Sequence, residues 1–251
     1  VYDNNLTDTA FLDDLTGLSA LGISSNDLAD FALPDGLTGL TMLNLRGNRL
    51  DTFTNFDGLD QLSELNLSAN NLTELTLPDD GLTELAVLHL DGNELRELVV
   101  PGGLAKLNAL WLSGNRLRTL TLDESLTALS TLNLANATGR EFELASAPST
   151  LTELQIQGNQ LTDLSLPDGL TGLVSLDLVD NRLTSLALPE GLDALRTLNV
   201  SRNNIRTLTL PDGLSGLLTL DLSDNQLTEI ALPESLTRLR DLHLWNNNSP
   251  A

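Results

Sequence analysis

Apolar and polar positions recur along this chain with a fixed period. In the stretch LVSLDLVDNRLTSLALPEGLDAL, residues 173–195, Leu173, Leu176, Leu178, Asn181 and Leu183 mark one half of a unit. Leu186, Leu188, Pro189, Gly191 and Leu192 mark the other, and Leu195 begins the next copy, a period of 22 residues. The segment LxLxx alternates inward leucine with outward polar residues, which predicts a short half-buried strand. Leu186 and Leu188 alternate in the same way, so the second half is expected to be extended and not helical. Pro sets φ and Gly permits positive φ in the turn that follows.

Asparagines count off the units at Asn26, Asn48, Asn70, Asn93, Asn115, Asn159, Asn181, Asn203, Asn225 and Asn247. The step holds apart from one extra residue near Asp79–Asp80 and a missing asparagine at Ala137. One strand per unit, always in the same direction, stacks into a parallel sheet with strands about 4.8 Å apart. A side-chain amide at each turn can bond backbone groups of its own and the neighbouring coil, so these residues are expected to form a buried structural ladder. The unit around 129–150 is irregular: Ala137 replaces Asn, Gly139 replaces Leu and Pro148 replaces a later Leu. Phe142 and Leu144 keep the alternation in step, so the spacing is expected to survive while the ladder loses one rung.

The pattern LxxLxLxxNxL resembles the leucine-rich repeat family, and the resemblance covers essentially the whole chain. The period is most similar to bacterial internalin-like repeats. The resemblance implies an α/β-class repeat solenoid, here mostly β. It would be right-handed, with a parallel sheet on one face, extended segments and turns on the back, and gentle curvature. Residues 1–251 read as a single leucine-rich repeat domain of about eleven repeats, the first and last partial. Val1, Asn4 and Leu6 match Leu178, Asn181 and Leu183, so the chain opens inside a strand and reads as a trimmed piece of a longer protein.

Composition narrows the partners. Thirteen basic residues face 35 acidic ones, a formal charge of −22, which makes nucleic acid an improbable ligand because phosphate binding needs a basic surface. No cysteine is present, which removes disulfides and thiol chemistry. No apolar run reaches membrane-spanning length, so direct membrane insertion is not expected.

The family binds mostly through the outward side chains of its sheet. Most of those positions here are small and polar. Met42, Arg46, Val87, His89, Asp91 and Trp111 depart from this, and we take them as the candidate partner-binding patch, since Trp and Arg are enriched at binding hot spots. His243 with Trp245 forms a second candidate. His89, Asp91 and Ser113 superficially resemble a nucleophilic trio, but nothing in the pattern supplies an oxyanion hole or a closed pocket. A file of acidic turn residues, including Asp35, Asp57 and Glu124, lacks the six to eight oxygens of a Ca²⁺ shell. No catalytic residue, metal ligand or cofactor site is expected. The reading is a noncatalytic recognition or adhesion scaffold for a protein or glycan, extracellular or on a bacterial cell surface. A structural spacer or end-to-end self-association is the alternative.

Overall fold

The computed structural model describes residues 2–34 and 36–248. Val1 and Asp35, on which two of the expectations above fall, lie outside the described residues. Within them the chain is a coil of parallel β-structure with no α-helix, and a single 3₁₀ turn at Ala10–Leu12.

The front sheet has eleven strands: β1 (Ala20–Gly22), β2 (Met42–Asn44), β3 (Glu64–Asn66), β4 (Val87–His89), β6 (Ala109–Trp111), β8 (Thr131–Asn133), β10 (Glu153–Gln155), β11 (Ser175–Asp177), β12 (Thr197–Asn199), β13 (Thr219–Asp221) and β14 (Asp241–His243). Each pairs in parallel with the next, one residue to one residue, with Leu21, Leu43, Leu65, Leu88 and their successors in register. The central leucine of each strand from β1 to β13 points inward and is buried, which the alternation requires. These leucines join those of the turns and back segments in one continuous apolar core running the length of the coil. Full burial of a leucine contributes about 2 kcal/mol before conformational entropy is counted. On β14 the corresponding Leu242, and Leu244 beyond it, are more than a third exposed.

The asparagines turn inward at the end of each strand. Asn181 is typical: its Nδ2 donates to the carbonyls of Leu178 in its own coil (3.0 Å) and Ile156 in the preceding one (2.9 Å). Its Oδ1 accepts the N–H of Leu161 at 3.2 Å. The same three contacts recur at Asn48, Asn70, Asn93, Asn115, Asn159, Asn203, Asn225 and Asn247. Asn26 bonds the carbonyl of Ile23 and the N–H of Leu6. The residue just before each of these asparagines sits in the left-handed region, as Gly in some coils and as Ser25, Ala69, Asp180, Arg202 or Asp224 in others. Glycine adopts that conformation without the steric cost that a Cβ brings.

The back wall is less regular. Three segments form a second parallel sheet: β5 (Glu97–Val100), β7 (Leu117–Leu122) and β9 (Thr138–Ser146). The remaining back segments carry no ladder pairing among the described residues. The irregular coil differs from its sequence expectation. If the spacing had survived, Phe142 would lie beside Leu120. Instead Leu120 pairs with Leu144, after Leu117 has paired with Thr138. Residues 139–141 therefore bulge out of the wall while Phe142 turns back into the core, and the register recovers only past Ser146. The cause lies at Ala137, which is fully buried and lacks the amide. Its own carbonyl accepts the N–H of Leu117 at 2.7 Å, the bond that a ladder side chain makes elsewhere.

Candidate functional site

The outward row at the third residue of each front strand explains why most of the face is small and polar. Asn44, Asn66, Asn133, Asp177, Asn199 and Asp221 each use Oδ1 to accept the backbone N–H two residues on, at 2.9–3.1 Å. Each side chain thus caps the turn that its own strand enters. Their acceptors are occupied within the fold.

His89 and Trp111 break that row. They are register partners on β4 and β6, and their rings stack with centroids 6.0 Å apart and planes 16° off parallel. That spacing is within the attractive range for aromatic pairs. Trp111 offers no acceptor for the N–H of Ser113, and Asp91 supplies it from the neighbouring strand: Asp91 Oδ1 accepts that N–H at 3.0 Å. The other Asp91 oxygen lies 3.9 Å from His89 Nδ1 and 3.4 Å from the Ser68 hydroxyl. On the far side of the imidazole, Glu64 Oε1 stands 3.9 Å from Nε2. The imidazole is thus bracketed by two carboxylates and backed by an indole. Burial pushes the Asp91 carboxyl up, but the nearby His89 imidazole and the bond from Ser113 outweigh this and hold it below the ordinary value of 3.8.

The six residues of the sequence patch divide in two. Val87, His89, Asp91 and Trp111 lie together on β4, β6 and the turn after β4. Met42 and Arg46 belong to β2 and its turn, three strand spacings or about 14 Å from Trp111. Glu64 and Asn66 of β3 fill the gap. Sequence reasoning missed Glu64; its register with Val87, two positions before His89, was the available signal. At the other end, His243 and Trp245 pack with centroids 4.5 Å apart, and His243 Nδ1 is 3.4 Å from Asp221 Oδ2.

Ser113, the hydroxyl of the superficial trio, is engaged elsewhere. The Ser113 hydroxyl donates to Asn133 Oδ1 at 2.8 Å, so its proton is committed to an amide and not to His89. Among the described residues no group of three or more His, Asp or Glu side chains is placed to hold a metal ion. None of the described helices is long and apolar enough to cross a membrane.

Comparisons agree with this geometry. The family described as Leucine Rich repeats (2 copies) matches residues 172–214 and 215–250. No curated protein matches the chain. Among solved structures, the LRR protein LIC12759 of Leptospira interrogans superposes with a TM-score of 0.71 at 28% identity, over 97% of this chain and 65% of that one. The functional domain of InlJ from Listeria monocytogenes gives 0.68 at 26% identity, over 99% of this chain and 58% of that one. The Toll–Spatzle complex of Drosophila gives 0.72 at 29% identity, over 98% of this chain and 35% of that one. The chain therefore spans less than two thirds of the length of each. The repeat signature in residues 172–250 is that of leucine-rich repeats, and the solenoid throughout is similar in fold to these leucine-rich repeat proteins.

Proposed function

We propose that this chain is a noncatalytic recognition scaffold that binds a protein partner through its front sheet, with His89 and Trp111 as the anchor. The carrying observation is the contrast along one row. Coil after coil spends its outward Asn or Asp on capping a turn, whereas β4 and β6 give up that bond and stand two stacked rings on the face. The two rings are half-buried against each other on the outer side of the sheet, and such aromatic side chains dominate binding energetics where a partner completes their desolvation. Glu64, Asp91, Glu153, Asp177, Asp221 and Asp241 share the face with Arg46 as its one arginine, so the fitting partner surface presents basic residues around an apolar spot. A neighbour of the same architecture is seen in the Toll–Spatzle complex, which supports partner capture by such a coil. The likeness to the Leptospira and Listeria proteins supports a bacterial setting, and a cell-surface or extracellular location, an adhesion role or a glycan ligand belongs to the same reading.

The test is face-selective capture. Immobilised wild-type chain and the variants Trp111→Ala, His89→Ala and Val99→Ser are exposed to the same extract. Val99 lies on the back wall and is exposed. A partner retained by wild type and Val99→Ser, and lost by Trp111→Ala with the thermal midpoint unchanged, supports the front face. Loss in Val99→Ser with retention in Trp111→Ala overturns it.

A further inference from the structure

The irregular coil gathers features that the sheet face does not use. Removing the ladder amide at Ala137 lets the backbone close on Leu117, and residues 139–141 bulge outward. Beneath the bulge, around the corner from the front sheet, an open cavity of about 650 Å³ lies between the turn at Asn136 and the back wall. Its lining includes Arg116, Arg118 and Arg140. Arg96, Arg118 and Arg140 recur at a 22-residue step, and Arg118 N–H bonds the Arg96 carbonyl at 2.7 Å, so their rungs are adjacent. Three of the chain's 13 basic residues thus line one cavity in a protein with a net charge of −22.

Of the three guanidinium groups at the cavity, one is engaged and, among the described residues, two are left without a carboxylate partner. Arg116 forms a forked pair with Glu94, at 3.2 and 3.3 Å. Arg118 and Arg140 make no ion pair among the described residues, although Glu141 lines the same cavity and Glu143 follows it on β9. Thr138 also lines the cavity, is only 9% exposed, and its Oγ1 has no hydrogen-bond partner. The wall on this side is completed by Asn136 and Gln160.

From this we propose that the cavity at the sixth coil is a binding site for an oxyanion, a carboxylate or sulfate group carried on a small polar ligand, held by Arg118 and Arg140. Guanidinium offers two parallel N–H donors that match two oxygens of one anionic group. The polar wall leaves amide and hydroxyl groups to contact the uncharged part of the ligand. The chain's overall charge opposes entry of an anion from a distance, but screening confines that repulsion to about 8 Å at physiological salt, so a local pair of arginines governs the site. The proposal is independent of the front-face reading, because no residue is shared between them.

Sulfate and glucuronate, in constant ionic strength held by chloride, are titrated into the full chain and followed by calorimetry and by amide NMR shifts. The expected result is one saturable site, with shifts confined to residues 115–118 and 136–142. Affinity should fall at least tenfold in Arg118→Ala/Arg140→Ala and stay unchanged in Arg238→Ala. Whichever probe binds more tightly identifies the source, the inorganic ion or an acidic saccharide. Thermal midpoints check that both variants remain folded, which exposed arginines permit. Shifts that never saturate, equal displacement by chloride, or undiminished binding in the double variant would overturn the site.

Discussion

The two walls of this coil are built from the same repeat, yet the front pairs through eleven consecutive strands and the back through three. The difference follows the asparagines. On the front side of each turn, Oδ1 of a ladder residue takes the N–H two positions past the equivalent asparagine of the preceding coil, so an amide stands between neighbouring backbones. Beyond it the back segments stay slightly apart: Thr184 N–H to the Thr162 carbonyl and Arg206 N–H to the Thr184 carbonyl are both 3.5 Å. In the middle coils the equivalent Arg118–Arg96 contact is 2.7 Å. Where Ala137 removes the amide altogether, pairing begins at once, at Leu117 with Thr138. In the preceding pair, which keeps Asn115, it begins only at Glu97 with Thr119. A coil without the amide therefore starts its back pairing directly beside the turn, two residues earlier than the neighbouring pair that keeps it.

The largest test of that comparison is Asn181→Ala in a regular region. The substitution removes the bond accepted from Leu161 N–H and one of the two bonds that each of the Ile156 and Leu178 carbonyls receives, since Asn159 and Asn203 also serve them. An orphaned buried N–H costs roughly 1–3 kcal/mol, and with the lost amide packing we expect a total near 3 kcal/mol in urea unfolding. A loss below about 1 kcal/mol would mean that the substituted coil recruits a backbone carbonyl for Leu161 N–H, as the Ala137 coil does for Leu117, and that the amide is dispensable.

Restoring the amide in the irregular coil is the converse. Ala137→Asn places a carboxamide where no space is open and where Leu117 N–H already has a partner. We expect destabilisation of about 2 kcal/mol, the cost of burying a poorly paired amide. Hydrogen exchange should lose protection at β7 and β9 and leave β11–β13 unchanged. A stabilised variant with unchanged exchange would show that the back sheet does not depend on the missing rung.

These regions also differ in how much the sequence disclosed. The 22-residue leucine pattern specified the front strands, because inward and outward alternation leaves one register for a half-buried sheet. The back-wall slip was hidden, since Phe142 and Leu144 satisfy the apolar pattern whether or not they pair in step. The choice between registers was made by a backbone carbonyl, which no side-chain pattern records. At the face, His89 and Trp111 were visible as large residues among small ones. That Asn44, Asn133 and Asn199 are turn caps was legible only once their Oδ1 contacts were known, and with it the reason why the face is otherwise quiet.

The finest contrast lies within the front sheet, between Asp91 and Asp177. Burial pushes both carboxyls up. At Asp91 the nearby His89 imidazole and the bond from Ser113 outweigh it and the group titrates below 3.8, whereas at Asp177 a single bond from Val179 N–H does not and the group titrates above 3.8. A depressed carboxyl favours the folded state above its ordinary value, and that contribution is lost as pH falls through the folded value. The raised one works in the opposite sense: folding is penalised at neutral pH and relieved as Asp177 gains its proton. Asp177→Asn keeps an Oδ1 for Val179 and removes the charge, so at pH 7 it should stabilise the coil, by less than about 1 kcal/mol after solvent screening. Asp91→Asn should instead lower stability at pH 7, with the deficit shrinking toward pH 3. Urea midpoints of both variants between pH 3 and 7, with side-chain carboxyl NMR to follow each titration, read out the two signs. Equal titration of the two groups, or a loss of stability in both variants at pH 7, would show that the turn-capping row and the His89–Trp111 station are electrostatically alike.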